Sequence, residues 1–168
     1  MSDENRDYNL NTKWVLWCHS LTNKNWDKES YNKIYEIDNL YDYNTFKKNI
    51  SNQTYFDSMF FLMRDNIFPI WEDENNIDGC SLTIKIPSKD VKKEWDNLVL
   101  KCISESIHKN LEDYNNITGL SITPKKEFNI VKIWFRENIK NLDIISKKIK
   151  LYEPYLKFNN IKLKKHKY

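Results

Sequence analysis

Two of the six tryptophans stand where a hydrophobic core does not require them. Trp26 lies in a polar stretch, residues 20–30, between Asn25 and Asp27, and Trp71 lies in an acidic stretch, residues 65–79, directly before Glu72. Loops carry binding residues, yet either tryptophan alone reads equally as an anchor packed onto the core. As a pair beside a carboxylate they suit one task, the capture of a flat cation. Methylation at N7 makes guanine such a cation, and each indole face attracts it by about 0.5–2 kcal/mol once water is removed. Two faces favour the methylated base by roughly 2–4 kcal/mol, on the order of 30- to 1,000-fold. Glu72 can accept both N1–H and N2–H of guanine as a charge-assisted pair, which adenine does not offer.

The run Glu72-Asp73-Glu74 repels phosphates, so a phosphate chain on that base must leave towards lysines. Lys125 and Lys126 sit in an expected hairpin, and period-2 alternation places Lys132 on the strand face that carries Trp134. Lys162, Lys164 and Lys165 near the C-terminus are further candidates; singly, each lysine also reads as a solvated surface charge. Trp14, Trp17 and Trp95 fall in regular apolar patterns and are expected in the core. Catalysis finds little support, because there is no HExxH, no P-loop and no nucleophile–base pattern. His19, His108 and His166 are scattered, with His108 near an expected helix end. Only Glu72-Asp73-Glu74 could start a metal site for hydrolysis, and one loop rarely supplies a whole site. No enzyme activity, metal or cofactor is expected. Cys18, Cys80 and Cys102 lack zinc-ligand spacing, and their odd number argues against a disulfide framework, which fits a reducing cytosol.

These side chains need a scaffold, and the hydrophobic pattern predicts one. Residues 13–18 and 33–37 read as strands. A helix is expected over residues 40–50, capped by Asp38, with Tyr43, Phe46 and Ile50 on one face. Residues 54–63 read as extended, and residues 80–86 alternate Leu82, Ile84 and Ile86 as a strand. Ser88 or Asp90 opens the clearest helix, with Val91, Trp95, Leu98, Val99, Cys102, Ile103 and Ile107 inward. Residues 119–123 and 128–135 predict a hairpin around residues 124–126. A third helix places Leu142, Ile145, Ile149 and Tyr152 inward and ends at Pro154; residues 158–163 form a last strand. Short links between consecutive strands imply a mostly antiparallel sheet with helices on one face, an α+β domain.

The length of 168 residues suits one domain, residues 13–168, behind a disordered tail, residues 1–12. A net charge of +3 is too mild to indicate nucleic acid by itself, so any such site must be a local patch. The polar N-terminus has no signal region, and the apolar run at residues 59–63 is too short to span a bilayer, so no membrane partner is expected. With no alanine, two glycines and three arginines, the composition reads as the genome bias of an AT-rich protist or a large DNA virus.

Several segments resemble the eukaryotic translation initiation factor 4E family over about residues 8–163. Lys13-Trp14-Val15-Leu16-Trp17 resembles its opening strand, and Lys24-Asn25-Trp26 its first cap-stacking loop. The most specific segment, Ile67-Phe68-Pro69-Ile70-Trp71-Glu72-Asp73-Glu74-Asn75, is close to the family's Pro-x-Trp-Glu-Asp signature. The helix around Trp95, with Cys102 to Ser106, and the strand Ile130 to Trp134 follow in order and spacing. The resemblance implies a curved antiparallel sheet with three helices on its convex back and the 7-methylguanosine cap of mRNA in the concave slot. Trp26 and Trp71 would sandwich the base. Glu72 would hold N1 and N2, the backbone N–H of Trp71–Glu72 would meet O6, and Trp134 would touch the N7 methyl. Lys125 matches a basic phosphate position, with Lys126 and Lys132 as further phosphate candidates. The implied role is recruitment of capped mRNA for translation initiation in the cytoplasm, or the host cytoplasm for a viral protein, with no DNA partner.

The chain departs from that pattern at named places. Ile130, Glu127 and Ser81 stand where the family has basic residues. On the back, Asn44 replaces a tryptophan that receives the helical motif of the scaffold factor 4G, and Asn97 replaces a carboxylate. Leu40, Val99 and Leu100 are left as the apolar part of that partner face. A divergent 4G-like scaffold or 4E-binding protein is the partner expected there. Asn44 also raises a rival role, a repressor or decoy that holds capped RNA without that scaffold. A general single-strand RNA binder is a third class, and it predicts no preference for the methyl group.

Overall fold

The computed structural model describes residues 8–51, 53–149 and 161–167. Seven strands are β1 (Asn9–Ser20), β2 (Tyr31–Asn39), β3 (Ser58–Arg64), β4 (Cys80–Pro87), β5 (Ile117–Pro124), β6 (Phe128–Phe135) and β7 (Ile161–Lys165). They form one curved sheet in the order β2-β1-β3-β5-β6-β4-β7, and each pairing is antiparallel. The helices are α1 (Leu40–Asn49), α2 (Thr54–Asp57), α3 (Val91–Ile103) and α4 (Leu142–Lys148), of which α2 is a single turn.

Strand alternation sorts the apolar residues onto two faces. Leu16 of β1, Phe60 and Leu62 of β3, Leu120 and Ile122 of β5, and Val131, Ile133 and Phe135 of β6 join the larger core. That core is closed by Tyr43 and Phe46 of α1, Ile145 of α4, and Trp95, Leu98 and Cys102 of α3. These positions recur at helical spacing along α3, so one stripe is buried and the opposite side stays polar. The helices thus cover the convex face. On the concave face, Met59, Phe61 and Met63 gather with Tyr31, Ile67 and Trp134 in a second, smaller cluster.

Both glycines occupy places where no side chain fits. A Cβ at Gly119 would lie 2.3 Å from Met63 Sδ, and one at Gly79 would lie 1.9 Å from the Phe135 carbonyl oxygen. The first lets β5 lie close against β3, and the second lets the chain enter β4 beside the end of β6.

Several expectations need correction. Residues 9–12 are strand rather than tail: Asn9 pairs with Asn39, and Thr12 Oγ1 accepts from Arg64 Nη1 at 2.6 Å. Residues 1–7 lie outside the described residues. The cap of α1 is Asn39, whose side chain accepts from Asp42 N, and not Asp38. Residues 54–57 form α2 before β3 begins. Helix α3 stops at Ile103 because Glu105 adopts φ 56, and Ile107 is buried beyond its end. Trp17 is only partly buried and packs on the concave cluster, edge-on to Phe68. Tyr152, Pro154 and residues 158–160 lie outside the described residues.

Candidate functional site

The concave cluster forms the floor of a slot of about 350 Å³, within the range of small-ligand sites. Its floor is Phe61 from β3, Ser121 and Thr123 from β5, and Lys132 and Trp134 from β6. Its walls come from two loops: Trp26 between β1 and β2, and Ile70, Trp71 and Glu72 between β3 and β4. The structure therefore brings Trp26, Trp71, Glu72, Trp134 and Lys132 to one cavity.

Local hydrogen bonds explain why these loops hold their shape. Asp27 caps the 3-10 turn Lys28–Ser30 by accepting from Ser30 N, and Asn25 donates to Asp27. In the other loop Asp73 accepts from the backbone N–H of Phe68 and of Asn75, both at 2.9 Å. Asn76, fully buried, donates to the carbonyls of Phe68 and Ile70. Asp73 is thereby consumed in building the loop that presents Trp71. Glu72 lines the slot and is exposed. Its negative charge also reaches Tyr31, whose hydroxyl pKa is pushed up to about 12, first by burial and then by Glu72.

Each wall tryptophan lies against a histidine that the sequence reading left unassigned. The buried His19 ring lies parallel to Trp26 at 4.1 Å, and its two nitrogens sit 2.9 and 2.8 Å from the carbonyl oxygens of Ser20 and Asn25. Trp26 itself remains 53% exposed. His166 lies parallel to Trp71 at 5.8 Å, and its ring is 5.1 Å from that of Trp134. A carbonyl only accepts, so His166 Nδ1 donates to Asn76 O at 2.7 Å and Nε2 is the unprotonated nitrogen. Burial holds the His166 pKa below its ordinary value. Alternation with Trp17 already placed His19 on the concave face of β1, so its signal was present; that of Tyr31 was less evident.

Trp134 is buried and fixed by donating from Nε1 to Ser121 Oγ at 2.9 Å, so it serves as floor rather than as a movable arm. The ammonium groups of Lys164 and Lys132 lie 4.2 and 5.3 Å from the Trp71 ring centroid. Burial lowers the Lys132 pKa, and the charges of Lys164 and Lys125 lower it further. Three cations thus converge beside the slot. Lys125 and Lys126 are exposed in the β5–β6 turn and do not line the cavity.

On the convex side Asn44 and Leu100 are exposed and Leu40 is half-buried. Val99 is 2% exposed and belongs to the core, so it offers no docking surface. Tyr41, 77% exposed one turn before Asn44, is the largest apolar side chain on that face of α1. No helix among the described residues is long and apolar enough to cross a membrane.

Comparison with known proteins places these features in context. The family model described as eukaryotic initiation factor 4E matches residues 9–168. Eukaryotic translation initiation factor 4E of Dictyostelium discoideum is 24% identical over 132 residues, covering 74% of this chain and 51% of that protein. The Saccharomyces cerevisiae protein of the same name is 28% identical over 138 residues, covering 78% and 63%. The chain thus spans between half and two thirds of the length of these relatives. Among solved structures, eIF4E-3 of Ascaris suum in complex with an m7G cap superimposes with a TM-score of 0.71 at 21% identity, covering 83% of this chain and 79% of that one. The Caenorhabditis elegans eIF4E-3 in complex with the 4E-binding protein Mextli gives 0.69 at 18% identity, covering 78% and 76%. At these identities the superpositions speak for the fold.

Proposed function

This chain belongs to the eukaryotic initiation factor 4E family, and from that premise we propose that its slot binds the 7-methylguanosine 5′ cap of messenger RNA, without catalysis. The observation that carries the reading is the meeting of Trp26, Trp71 and Glu72, from two separate loops, around one cavity. Two indoles attract the methylated base as a cation, and the exposed carboxylate accepts from its N1–H and N2–H. Trp134 forms the floor near the methyl group. Lys132, Lys125 and Lys164 surround the cap triphosphate, with Lys126 at the rim. Holding capped mRNA, the protein serves translation initiation in the cytoplasm.

The test is a fluorescence titration with 7-methyl-GTP and with GTP at one salt concentration. The methylated nucleotide should quench tryptophan emission and bind at least about tenfold more tightly, equivalent to about 1.4 kcal/mol. Trp71→Ala and Glu72→Ala should each lose most of that binding. Equal affinity for both nucleotides would remove the cation-stacking reading and leave a general single-strand binder.

The back of the molecule favours a second role. Asn44 is exposed on α1 where an aromatic platform would be needed. A repressor or decoy that holds the cap without the usual scaffold fits that surface, whereas a divergent 4G-like scaffold or 4E-binding protein would dock on Leu40, Tyr41 and Leu100. Recovery of a scaffold from source-cell extract on the capped complex supports initiation. Cap binding that blocks translation of capped reporter mRNA supports repression.

A further inference from the structure

Strand register carries the basic surface well past the slot. Residues directly opposite in antiparallel strands point to the same face. Trp134 of β6 is opposite Ser81 of β4, and Ser81 is opposite Lys164 of β7. The next row runs Lys132, Thr83, Lys162, and the row after it pairs Ile130 with Lys85. The concave face from β6 to the β7 edge therefore carries Lys85, Lys132, Lys162 and Lys164 and no carboxylate at these positions. None of the four forms an ion pair among the described residues. Lys132 and Lys164 press on each other electrostatically. Between them Ser81 is fully buried, with an Oγ that has no partner among the described residues.

Lysines on an edge strand also guard against edge-to-edge pairing. That accounts for Lys162 and Lys164, but not for Lys132 and Lys85, which lie on interior strands. Strands about 4.8 Å apart put Lys132 and Lys162 about 10 Å from each other across two strand spacings. This strip of cations begins at the floor of the slot and ends at the open edge of the sheet.

We propose that the β6–β4–β7 strip is a phosphate track for the RNA body, in which Lys85 and Lys162 hold phosphodiesters of the nucleotides that follow the cap. The proposal rests on the cap reading of the slot and extends it from one nucleotide to a length of single strand. The track acts through charge, so it reads no sequence.

Affinities for 7-methyl-GTP and for a short capped oligoribonucleotide, measured across a salt series, test it. The wild-type protein should bind the capped oligonucleotide more tightly and with a steeper salt dependence. In Lys85→Gln/Lys162→Gln the oligonucleotide should weaken about tenfold at low salt, and its log–log slope should flatten by about 1.4, about 0.7 per lost contact. Affinity for 7-methyl-GTP should fall far less than that for the oligonucleotide, and an unchanged melting temperature shows that the variant is folded. Lys85→Arg/Lys162→Arg should keep the wild-type behaviour. If the oligonucleotide binds no better than 7-methyl-GTP, or the Gln variant binds it undiminished, the track is overturned and the cap reading stands. If the wild-type protein does not bind 7-methyl-GTP, the cap reading falls and the track falls with it.

Discussion

Glu72 and Asp73 are neighbours with the same charge and have opposite uses. Asp73 spends its carboxylate on Phe68 and Asn75 within the loop, while Glu72 stays exposed at the slot. Side-chain length helps to separate them, since the short Asp73 reaches the N–H two residues on, as aspartate does in turns, while the loop turns the longer Glu72 outward. The histidines follow the same logic, and His166 makes the site sensitive to acid. Burial lowers its pKa in the folded protein, the bond to Asn76 opposes that, and Lys132 and Lys164 lower it further. The unfolded chain takes up the proton nearer the ordinary value of 6.5. Stability is therefore fully present above that value and falls as pH drops below it, because the unfolded state binds more protons. Denaturant midpoints should fall between about pH 7.5 and pH 5.5, and His166→Gln should flatten that dependence. An imidazolium against Trp71 would also compete with a cationic base for the indole, so cap affinity should weaken in the same range.

At the scale of elements, one buried ion pair ties the end of β3 to the turn after α3. Arg64 donates from Nη1 and Nη2 to the two carboxylate oxygens of Glu105 at 2.5 and 2.6 Å, and from Nε to Ile117 O at 2.7 Å. Its guanidinium also lies 4.4 Å from the Trp14 ring centroid. Glu105→Ala strands that charge, at a cost of about 3–5 kcal/mol. For a chain of this size the melting temperature should drop by about 6–20 °C. An apolar pair, Arg64→Met/Glu105→Leu, should recover much of that loss, since the remaining charge is removed as well. Neither residue stood out in the sequence, because 41 positions separate them. The strands and helices were legible where their period was clean, as in α3 and in the β5–β6 hairpin. They were misjudged where a tertiary partner overrode local pattern, as at polar residues 9–12, drawn into β1 by Asn39 and Arg64.

For the molecule as a whole, binding and stability are linked. A ligand at about 100 times its Kd stabilises the folded state by about 2.7 kcal/mol. Saturating 7-methyl-GTP should therefore raise the melting temperature by about 5–11 °C, whereas GTP at the same concentration should raise it much less. The shift should vanish in Trp71→Ala. The mild net charge of +3 hides the basic strip, because acidic residues lie elsewhere on the surface. Only a local measurement such as the salt slope exposes it.

The amino-acid order alone gives away the class of fold, and it singles out Trp26, Trp71 and Glu72, which line one cavity. Hydrophobic alternation shows which side of each strand is buried, while Trp26 and Trp71 stand out because an indole does not suit a polar loop, and Glu72 because it adjoins Trp71. Tertiary structure decided what those residues meet. It set His19 against Trp26 and His166 against Trp71, buried Val99 in the core, and aligned four lysines from three strands. The reason is physical: periodicity reports which face a side chain takes, whereas neighbours across a sheet depend on strand order and register. Those are set by the packing of the whole chain.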